Sequence, residues 1–296
     1  LTAVINTFSL TKFYGQSRGI QAIELEIEKG EIFGFLGPNG AGKTTIIRLL
    51  LGLLRPTSGS AEIFGLNTLT ESLEIRRRVG YISGDLSLFE SMKGRSLIKL
   101  LNSFHKKHSQ RLDELALQLD LDLDRPIRAY SRGMKQKLAI IQALSHNPDL
   151  LILDEPTTGL DPLMQHQFYD IMRDFKAAGK TIFLSSHILP EVEHICDRIG
   201  IVKEGILIDV ENVADLKRNK IRRLQIVLNR DVQAKDFELE GVEILAIDGQ
   251  KAEMVVRGHP KMILDHLSNL PIEDFVFPEA SLEETFLQFY ETGSPS

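Results

Sequence analysis

The stretch Ile32–Thr45, IFGFLGPNGAGKTT, decides the fold of this chain of 296 residues. Its first five residues form a largely apolar run that predicts a buried β-strand, and the run ends at Gly37. The spacing Gly-x-x-x-x-Gly-Lys-Thr follows, and helical character begins at Lys43. Glycines at these positions let backbone N–H groups point at a phosphate, and the helix N-terminus adds partial positive charge. The strand, loop and helix together predict a phosphate-binding P-loop rather than a chance glycine-rich turn.

The P-loop predicts a role for each of its residues. Lys43 is expected to reach the β- and γ-phosphates of a nucleotide and to be one of the catalytic residues, and the Thr44 hydroxyl is expected to ligate Mg²⁺. The residues expected to bind the nucleotide are Gly37, Pro38, Asn39, Gly40, Ala41, Gly42, Lys43, Thr44 and Thr45.

Composition limits the class of protein. The chain is 43% hydrophobic and 26% charged, as soluble globular proteins are. Its formal net charge of −6 argues against broad nucleic-acid binding, which usually involves a basic domain. No apolar run reaches the ~18 residues of a membrane span, and the N-terminus does not resemble a signal peptide. The single cysteine, Cys196, excludes an internal disulfide and suits a reducing compartment, so we expect a cytoplasmic protein.

The order of elements predicts two domains. Strands separated by helices over residues 1–217 predict an α/β domain with a mostly parallel sheet, in which Ala3–Leu10 is expected as an edge strand. Helical spacing replaces strand patterns at residues 84–147, which predicts an inserted helical subdomain. Strand-like runs and two helices predict a small α+β domain over residues 222–296, with the last helix at SLEETFLQFY, residues 281–290.

A second buried strand supplies two acids. Leu150–Glu155, LLILDE, is an apolar run that ends in carboxylates, and the carboxyl end of a strand is where α/β sheets place ligand chemistry. Asp154 is expected to hold the Mg²⁺ shell, directly or through water. Glu155 is expected to accept the proton of an attacking water. The structural alternative, a strand that merely ends in an acidic turn, is disfavoured by the upstream P-loop.

Three further stretches complete a known pattern. They are YSRGMKQKLAI at Tyr130–Ile140, LLILDEPTTGLDP at Leu150–Pro162 and FLSSH at Phe183–His187. With the P-loop, they resemble the ATP-binding subunit of ABC transporters over residues 3–217, and every signature element stands in the expected order. The resemblance implies that the nucleotide is ATP, and that the fold is an ABC-type P-loop core with an antiparallel β edge.

The resemblance also implies roles for residues outside the P-loop. Tyr14 resembles the aromatic residue that stacks on adenine. Ser131 and Gly133 belong to the signature loop, which would bind the γ-phosphate of ATP held by a second subunit. Asp161 resembles part of the D-loop that communicates across the dimer, and His187 the switch histidine that orients Glu155 and water. The structural alternatives are a turn-capping Tyr14, a helix-capping Ser131, which is compatible with the signature role, and an ordinary loop histidine.

Two departures from the family pattern stand out. The signature is YSRGM rather than LSGGQ, with Arg132 in place of the first glycine and Met134 in place of glutamine. Its serine and second glycine persist, so we expect ATP to be sandwiched between two copies. Gly84 stands where the family often carries a glutamine, and glycine has no side chain to ligate Mg²⁺. Either Asp85 takes that place or water does.

The partners follow from the same resemblance. A chain with one P-loop must form a head-to-tail dimer, because Lys43 and Ser131 of one site would come from opposite subunits. The segment after Gly84, DLSLFESMKGRSLIKLL, is expected to receive a coupling helix from a membrane permease. The alternative is that its apolar residues fill the core of the helical subdomain. The C-terminal phrase PEASLEETFLQFY is similar to the tail of ATPase subunits paired with ABC-2-type permeases, which are mostly exporters.

The sequence therefore predicts an ATPase subunit that powers transport, by family analogy export, through a separate permease. ATP would close a homodimer at the inner face of the cell membrane, and hydrolysis would reopen it. The alternative is a soluble ABC ATPase that acts on nucleic acid or a ribosome.

Overall fold

The P-loop strand lies between two parallel neighbours, as the alternation of strands and helices predicts. The computed structural model describes residues 3–105, 112–218, 222–256 and 260–277. The chain divides into two units, Leu1–Val210 and Glu211–Ser296. The sequence predicts the boundary between the two domains at residues 217–222.

The strands that begin in the first unit form two sheets. They are β1 (Ala3–Tyr14), β2 (Ser17–Glu28), β3 (Ile32–Leu36), β4 (Ser58–Ile63), β5 (Leu66–Asn67), β6 (Val79–Ile82), β7 (Leu150–Asp154), β8 (Thr181–Ser186), β9 (Arg198–Lys203) and β10 (Ile206–Asn212). The helices of this unit are α1 (Lys43–Leu50), α2 (Ser72–Arg78), α3 (Gly94–Asn102), α4 (Leu112–Gln118), α5 (Arg132–Leu144), α6 (Pro162–Ala177) and α7 (Leu189–Ile195).

The larger sheet has six strands in the order β10-β9-β3-β8-β7-β6. Strand β3 pairs in parallel with β8 and β9, and β7 pairs in parallel with β6 and β8. The register aligns Leu36 with Ser186, and Asp154 with Ser185. The carboxyl ends of β3, β7 and β8 therefore meet at one edge of the sheet, which is where open α/β sheets bind ligands. The predicted α/β class with a mostly parallel sheet is confirmed.

The antiparallel strands form a sheet of their own, in the order β2-β1-β4-β5. The prediction that Ala3–Leu10 is an edge strand is wrong, because β1 pairs with β2 on one side and with β4 on the other. Its weak sequence alternation has a structural cause. The register shifts between Thr7 and Leu10, and Ser9 there adopts a positive φ of 44°, as at a β-bulge.

The core of the first unit surrounds the P-loop strand. All five residues of β3 are buried, and the ring of Phe33 stacks on that of Phe183 at 6.1 Å between centroids. The inward residues of α1, such as Ile46 and Ile47, join the same cluster. Burial of each such side chain contributes about 1.5–3 kcal/mol, so the loop between β3 and α1 has rigid supports at both ends.

The described residues between 84 and 147 contain helices α3, α4 and α5 and a short 3₁₀ helix at Ile127–Ala129, in agreement with the predicted helical insertion. Helix α5 begins after Ser131, whose Oγ accepts a hydrogen bond of 3.2 Å from the backbone N–H of Met134. This is the N-cap arrangement that the sequence predicts.

The second unit has an antiparallel sheet in the order β12-β13-β11-β14. Its described elements are α8 (Val213–Arg218), β11 (Arg222–Leu228), a 3₁₀ helix (Ala234–Phe237), β12 (Val242–Asp248), β13 (Lys251–Val256), α9 (Pro260–Leu267) and β14 (Ile272–Val276). Leu224, Met254, Phe237 and Ile263 pack in its core. The helix predicted at residues 281–290 lies outside the described residues. None of the helices in the described ranges combines the length and apolar character needed to cross a membrane.

Candidate functional site

The loop between β3 and α1 requires glycine at two positions. Gly42 has a φ of 100°, and a Cβ on it would lie 2.5 Å from the carbonyl oxygen of Gly19. A Cβ on Gly37 would collide with the carbonyl oxygen of Val202. Both collisions involve backbone, which cannot move aside as a side chain could. The neighbouring strands therefore hold the loop in one conformation, whose last residue lies at the N-terminus of α1.

Lys43 lies over its own loop. Its side chain is only 5% exposed, and Nζ donates hydrogen bonds to the carbonyl oxygens of Gly37 at 2.8 Å and Pro38 at 3.0 Å. The same nitrogen lies 3.3 Å from Oε1 of Glu155. The ammonium group thus joins the P-loop to Glu155, directly after β7.

Asp154 is the most enclosed acid of this edge, with 3% exposure. Its two carboxylate oxygens accept hydrogen bonds from different sides: Oδ2 from the hydroxyl of Thr44 at 2.8 Å, and Oδ1 from the hydroxyl of Ser185 at 2.6 Å. The pair Thr44 and Asp154 is therefore brought together as predicted. Ser185 is not among the predicted site residues, although a serine inside the apolar strand FLSSH indicates a polar partner.

Glu155 has a strained backbone. Its φ of 48° is uncommon for a residue with a side chain. The backbone N–H donates to the carbonyl oxygen of Ser185 at 3.2 Å. The turn directs the carboxylate back over the sheet edge, where Oε1 lies 3.2 Å from Nδ1 of His187 and 3.3 Å from Nζ of Lys43. One carboxylate oxygen of Glu155 therefore contacts both of the other residues predicted as catalytic, Lys43 and His187.

Tyr14 lies beside the end of the P-loop. Its hydroxyl oxygen is 3.4 Å from Oγ1 of Thr45, and its side chain is 46% exposed. The Nζ of Lys12 lies 5.5 Å from the centroid of the ring. An exposed ring next to the loop is placed where a base attached to the bound phosphates could stack on it.

Ser131 and Asp161 cap helices. Oδ1 of Asp161 accepts a hydrogen bond of 2.9 Å from the backbone N–H of Met164 at the start of α6, as Ser131 does for α5. The side chain of Arg132 lies against Gly159, since a Cβ there would be 2.9 Å from its Nε. The signature loop and the D-loop are thus neighbours. Within the described ranges, neither Ser131 nor Asp161 hydrogen-bonds to the P-loop.

Two buried polar residues that the sequence does not reveal contact the segment directly after Glu155. Gln136 on α5 donates from Nε2 to the carbonyl oxygen of Pro156, directly after Glu155. Glu191 on α7 accepts hydrogen bonds from Thr157 and Ser186. Burial raises the pKa of Glu191, and these two hydroxyl donors oppose that shift.

Gly84 lies beside the acidic site. A Cβ on it would be 3.5 Å from Oδ2 of Asp154, in ordinary contact with the carboxyl group. Asp85, the next residue, is exposed. The location is the one predicted for the family's glutamine, and the two alternatives, Asp85 or water, both stay open.

Comparison with known proteins identifies the family. A family model described as ABC transporter matches residues 20–158. The chain is 40% identical to the bacitracin transport ATP-binding protein BcrA of Bacillus licheniformis, over 82% of this chain and 83% of the relative. The chain belongs to the ATP-binding proteins of ABC transporters. The resemblance on which the sequence interpretation rests is thereby confirmed.

Further relatives agree with this assignment. The chain is 33% identical to the daunorubicin/doxorubicin resistance ATP-binding protein DrrA of Streptomyces peucetius, over 100% of this chain and 94% of the relative. A solved ATP-binding subunit of an ABC transporter superposes with a TM-score of 0.68 at 31% identity, covering 73% of this chain and 92% of that one. The chain is thus an ABC-type ATPase, the ATP-binding subunit of a transporter.

Proposed function

We propose that this ABC ATPase works as a head-to-tail homodimer that powers export through a separate membrane permease. The observation that carries its ATPase activity is the position of Glu155, whose Oε1 lies within 3.3 Å of both Lys43 and His187. Such an arrangement suits hydrolysis, because one carboxylate can meet both a water and the groups that bind the terminal phosphate. Export is inferred from the transport and drug-resistance names of the relatives.

The P-loop would hold the phosphates of ATP. Its backbone N–H groups and the N-terminus of α1 supply positive potential, and Lys43 supplies a full charge. The residues that would line the nucleotide are Gly37, Pro38, Asn39, Gly40, Ala41, Gly42, Lys43, Thr44, Thr45 and the exposed ring of Tyr14.

The oxygen atoms of Thr44 and Asp154 are suited to binding Mg²⁺. Thr44 Oγ1 and Asp154 Oδ2 are hard oxygen donors only 2.8 Å apart. Mg²⁺ is usually held by one or two protein oxygens together with waters and substrate phosphates, rather than by a full protein cage. When bound, Mg²⁺ would neutralise charge on the β- and γ-phosphates.

Glu155 would act as general base, and His187 would hold it and the attacking water in place. The contact of 3.2 Å between His187 Nδ1 and Glu155 Oε1 supports this assignment. General-base catalysis of this kind contributes about 10²–10⁴-fold to the rate.

The signature loop would serve the partner copy. Ser131 and Asp161 are the N-caps of helices α5 and α6, and Gly133 lies in the first turn of α5. The side-chain hydrogen bonds of Ser131 and Asp161 stay within those helices. Their exposed N-termini can face the γ-phosphate bound by a second chain, since helix N-termini attract anions. Two copies arranged head to tail would complete two ATP sites.

The segment predicted to meet the permease divides between core and surface. Leu97 and Ile98 are buried in the helical subdomain, whereas Phe89 is 62% exposed and Leu100 is also exposed. Part of the segment therefore fills the core, as the structural alternative states. Exposed large apolar side chains remain on it, as a docking site for a permease helix requires.

Antibiotic-like cargo is the best supported class. The relatives described above are named for bacitracin transport and for daunorubicin/doxorubicin resistance. By this likeness, we place the chain in the cytoplasm, bound through the permease to the inner face of the membrane.

Co-purification tests the proposal. The chain, expressed in its own cells and isolated in mild detergent, is expected to bring down a polytopic membrane protein in a fixed ratio and to hydrolyse ATP faster in that complex. Recovery of RNA or ribosomes instead, with no membrane protein, would overturn it in favour of a soluble ABC ATPase.

A further inference from the structure

Glu191 is a buried acid behind the catalytic pair. It lies on α7 and is only 4% exposed. Its Oε1 accepts a hydrogen bond of 2.8 Å from the hydroxyl of Thr157, and its Oε2 accepts one of 2.6 Å from the hydroxyl of Ser186. Both carboxylate oxygens are therefore used, each by a different segment of the chain.

The two segments are those that carry Glu155 and His187. Thr157 follows Glu155 by two residues, and Ser186 directly precedes His187. The hydroxyl oxygen of Ser186 also accepts a hydrogen bond of 2.9 Å from the backbone N–H of Ile188. The chain is thus held on both sides of His187, and Glu191 ties that turn to the loop after Glu155.

A purely structural position would not need an acid here. Burying a carboxylate costs several kcal/mol unless hydrogen bonds and charges compensate, and an apolar side chain would fill the same volume without that cost. Val192 and Ile195 on the same helix are buried apolar residues of this kind. A carboxylate, in contrast, can accept from two hydroxyls at once and so fix the distance between two loops.

We propose that Glu191 is a positioning residue for ATP hydrolysis, which holds the turn of His187 against the loop of Glu155 so that the two side chains meet. The proposal rests on the roles proposed above for Glu155 and His187. In this proposal, Glu191 does not contact the nucleotide. Its loss changes the rate of hydrolysis and leaves ATP binding intact, because its hydrogen bonds do not involve the P-loop.

A double-mutant cycle tests this role. Glu191→Gln, His187→Ala and the double variant are compared for kcat and for KM of ATP in the full chain, with its permease present. Glu191→Gln keeps the shape but replaces one acceptor by an amide donor. It is expected to lower kcat by roughly ten- to a hundredfold with KM nearly unchanged, as small misplacements of catalytic groups do.

The double variant separates positioning from general damage. If Glu191 acts through His187, Glu191→Gln changes kcat by less than about twofold once His187 is alanine, because coupled residues are not additive. Independent effects that multiply in the double variant would overturn the proposal. Glu193→Gln, which removes a carboxylate from the same helix, is the matched control and is expected to leave kcat unchanged.

The two hydroxyl partners give a second, milder test. Thr157→Val and Ser186→Ala each remove one hydrogen bond to Glu191 and are expected to lower kcat in the same direction, again without raising KM. If neither changes kcat, Glu191 does not position the pair. If His187→Ala itself leaves kcat unchanged, the proposed role of His187 fails instead, so the two failures are distinct.

Discussion

Glu155 and His187 meet at the end of the sheet, with Oε1 of the acid 3.2 Å from Nδ1 of the histidine. They follow two neighbouring parallel strands: β7 ends just before Glu155, and β8 ends just before His187. The register pairs Asp154 with Ser185, so Glu155 lies one residue and His187 two residues beyond that pair, at the same edge of the sheet. The fold itself, rather than a flexible loop, therefore brings the pair together.

The P-loop conformation predicts that Gly42→Ala abolishes ATP binding. A Cβ at this position would lie 2.5 Å from the Gly19 carbonyl oxygen and 2.6 Å from Cγ2 of Ile20, at a φ of 100°. Gly179→Ala is the matched control, because Gly179 also has a positive φ, 75°, but nothing lies within 4 Å of its Cβ position. The control is expected to lose about 1 kcal/mol of stability and to bind ATP normally. Nucleotide binding measured by calorimetry checks both variants, and normal binding by Gly42→Ala would contradict the prediction.

The exposed ring of Tyr14 predicts a contribution to nucleotide affinity. Tyr14→Ala is expected to weaken ATP binding by roughly 0.5–1.5 kcal/mol, the usual worth of an aromatic contact. Tyr14→Phe keeps the ring and loses only the hydroxyl, whose oxygen is 3.4 Å from Thr45 Oγ1, and is expected to bind almost as the parent does. Equal losses in both variants would show that the hydroxyl, not the ring, matters.

The buried position of His146 predicts that the protein loses stability in mild acid. Its ring stacks on that of His105 at 3.8 Å, and its Nε2 lies 3.2 Å from the carbonyl oxygen of Val79. Burial, and then the nearby His105, lower the pKa of His146 from 6.5 to about 4. The unfolded chain therefore binds this proton more tightly than the folded chain does. The free energy of unfolding therefore falls as the pH drops from 6.5 to about 4, by on the order of 3 kcal/mol at most.

The variant His146→Gln isolates this contribution. Urea unfolding at pH 7 and pH 5 is expected to show a smaller fall in the free energy of unfolding for the variant than for the parent, because other titrating groups are common to both. An equal fall in the two proteins would assign the acid sensitivity to other residues.

Most of the site can be predicted from the motifs, because they place phosphate-binding and acidic residues at the ends of predicted strands and helices. Lys43, Thr44, Asp154, Glu155 and His187 lie together as the sequence indicates. Glu191 escaped prediction because nothing local distinguishes a buried acid from an exposed one on a short helix. Its partners lie 34 and 5 residues away in sequence, and only the tertiary fold brings them together.

Strand β8 gives a second example of contacts that cannot be predicted from the sequence. Successive side chains of a strand point to opposite faces, so Ser185 donates to Asp154 whereas Ser186 donates to Glu191. The sequence FLSSH indicates two polar residues in a buried strand but not which partner each one meets. The sequence does not reveal the interior position of β1 for a related reason, since strand order depends on pairing between distant segments.

The most direct measurement is the molar mass of the Glu155→Gln variant with ATP and Mg²⁺, determined by light scattering together with the bound nucleotide. We expect hydrolysis to stop, and the variant to accumulate as a dimer of twice 33.3 kDa that retains one intact ATP per chain. A mass that stays at 33.3 kDa with ATP bound, or turnover equal to that of the parent, would contradict the account of a two-copy site with Glu155 as its base.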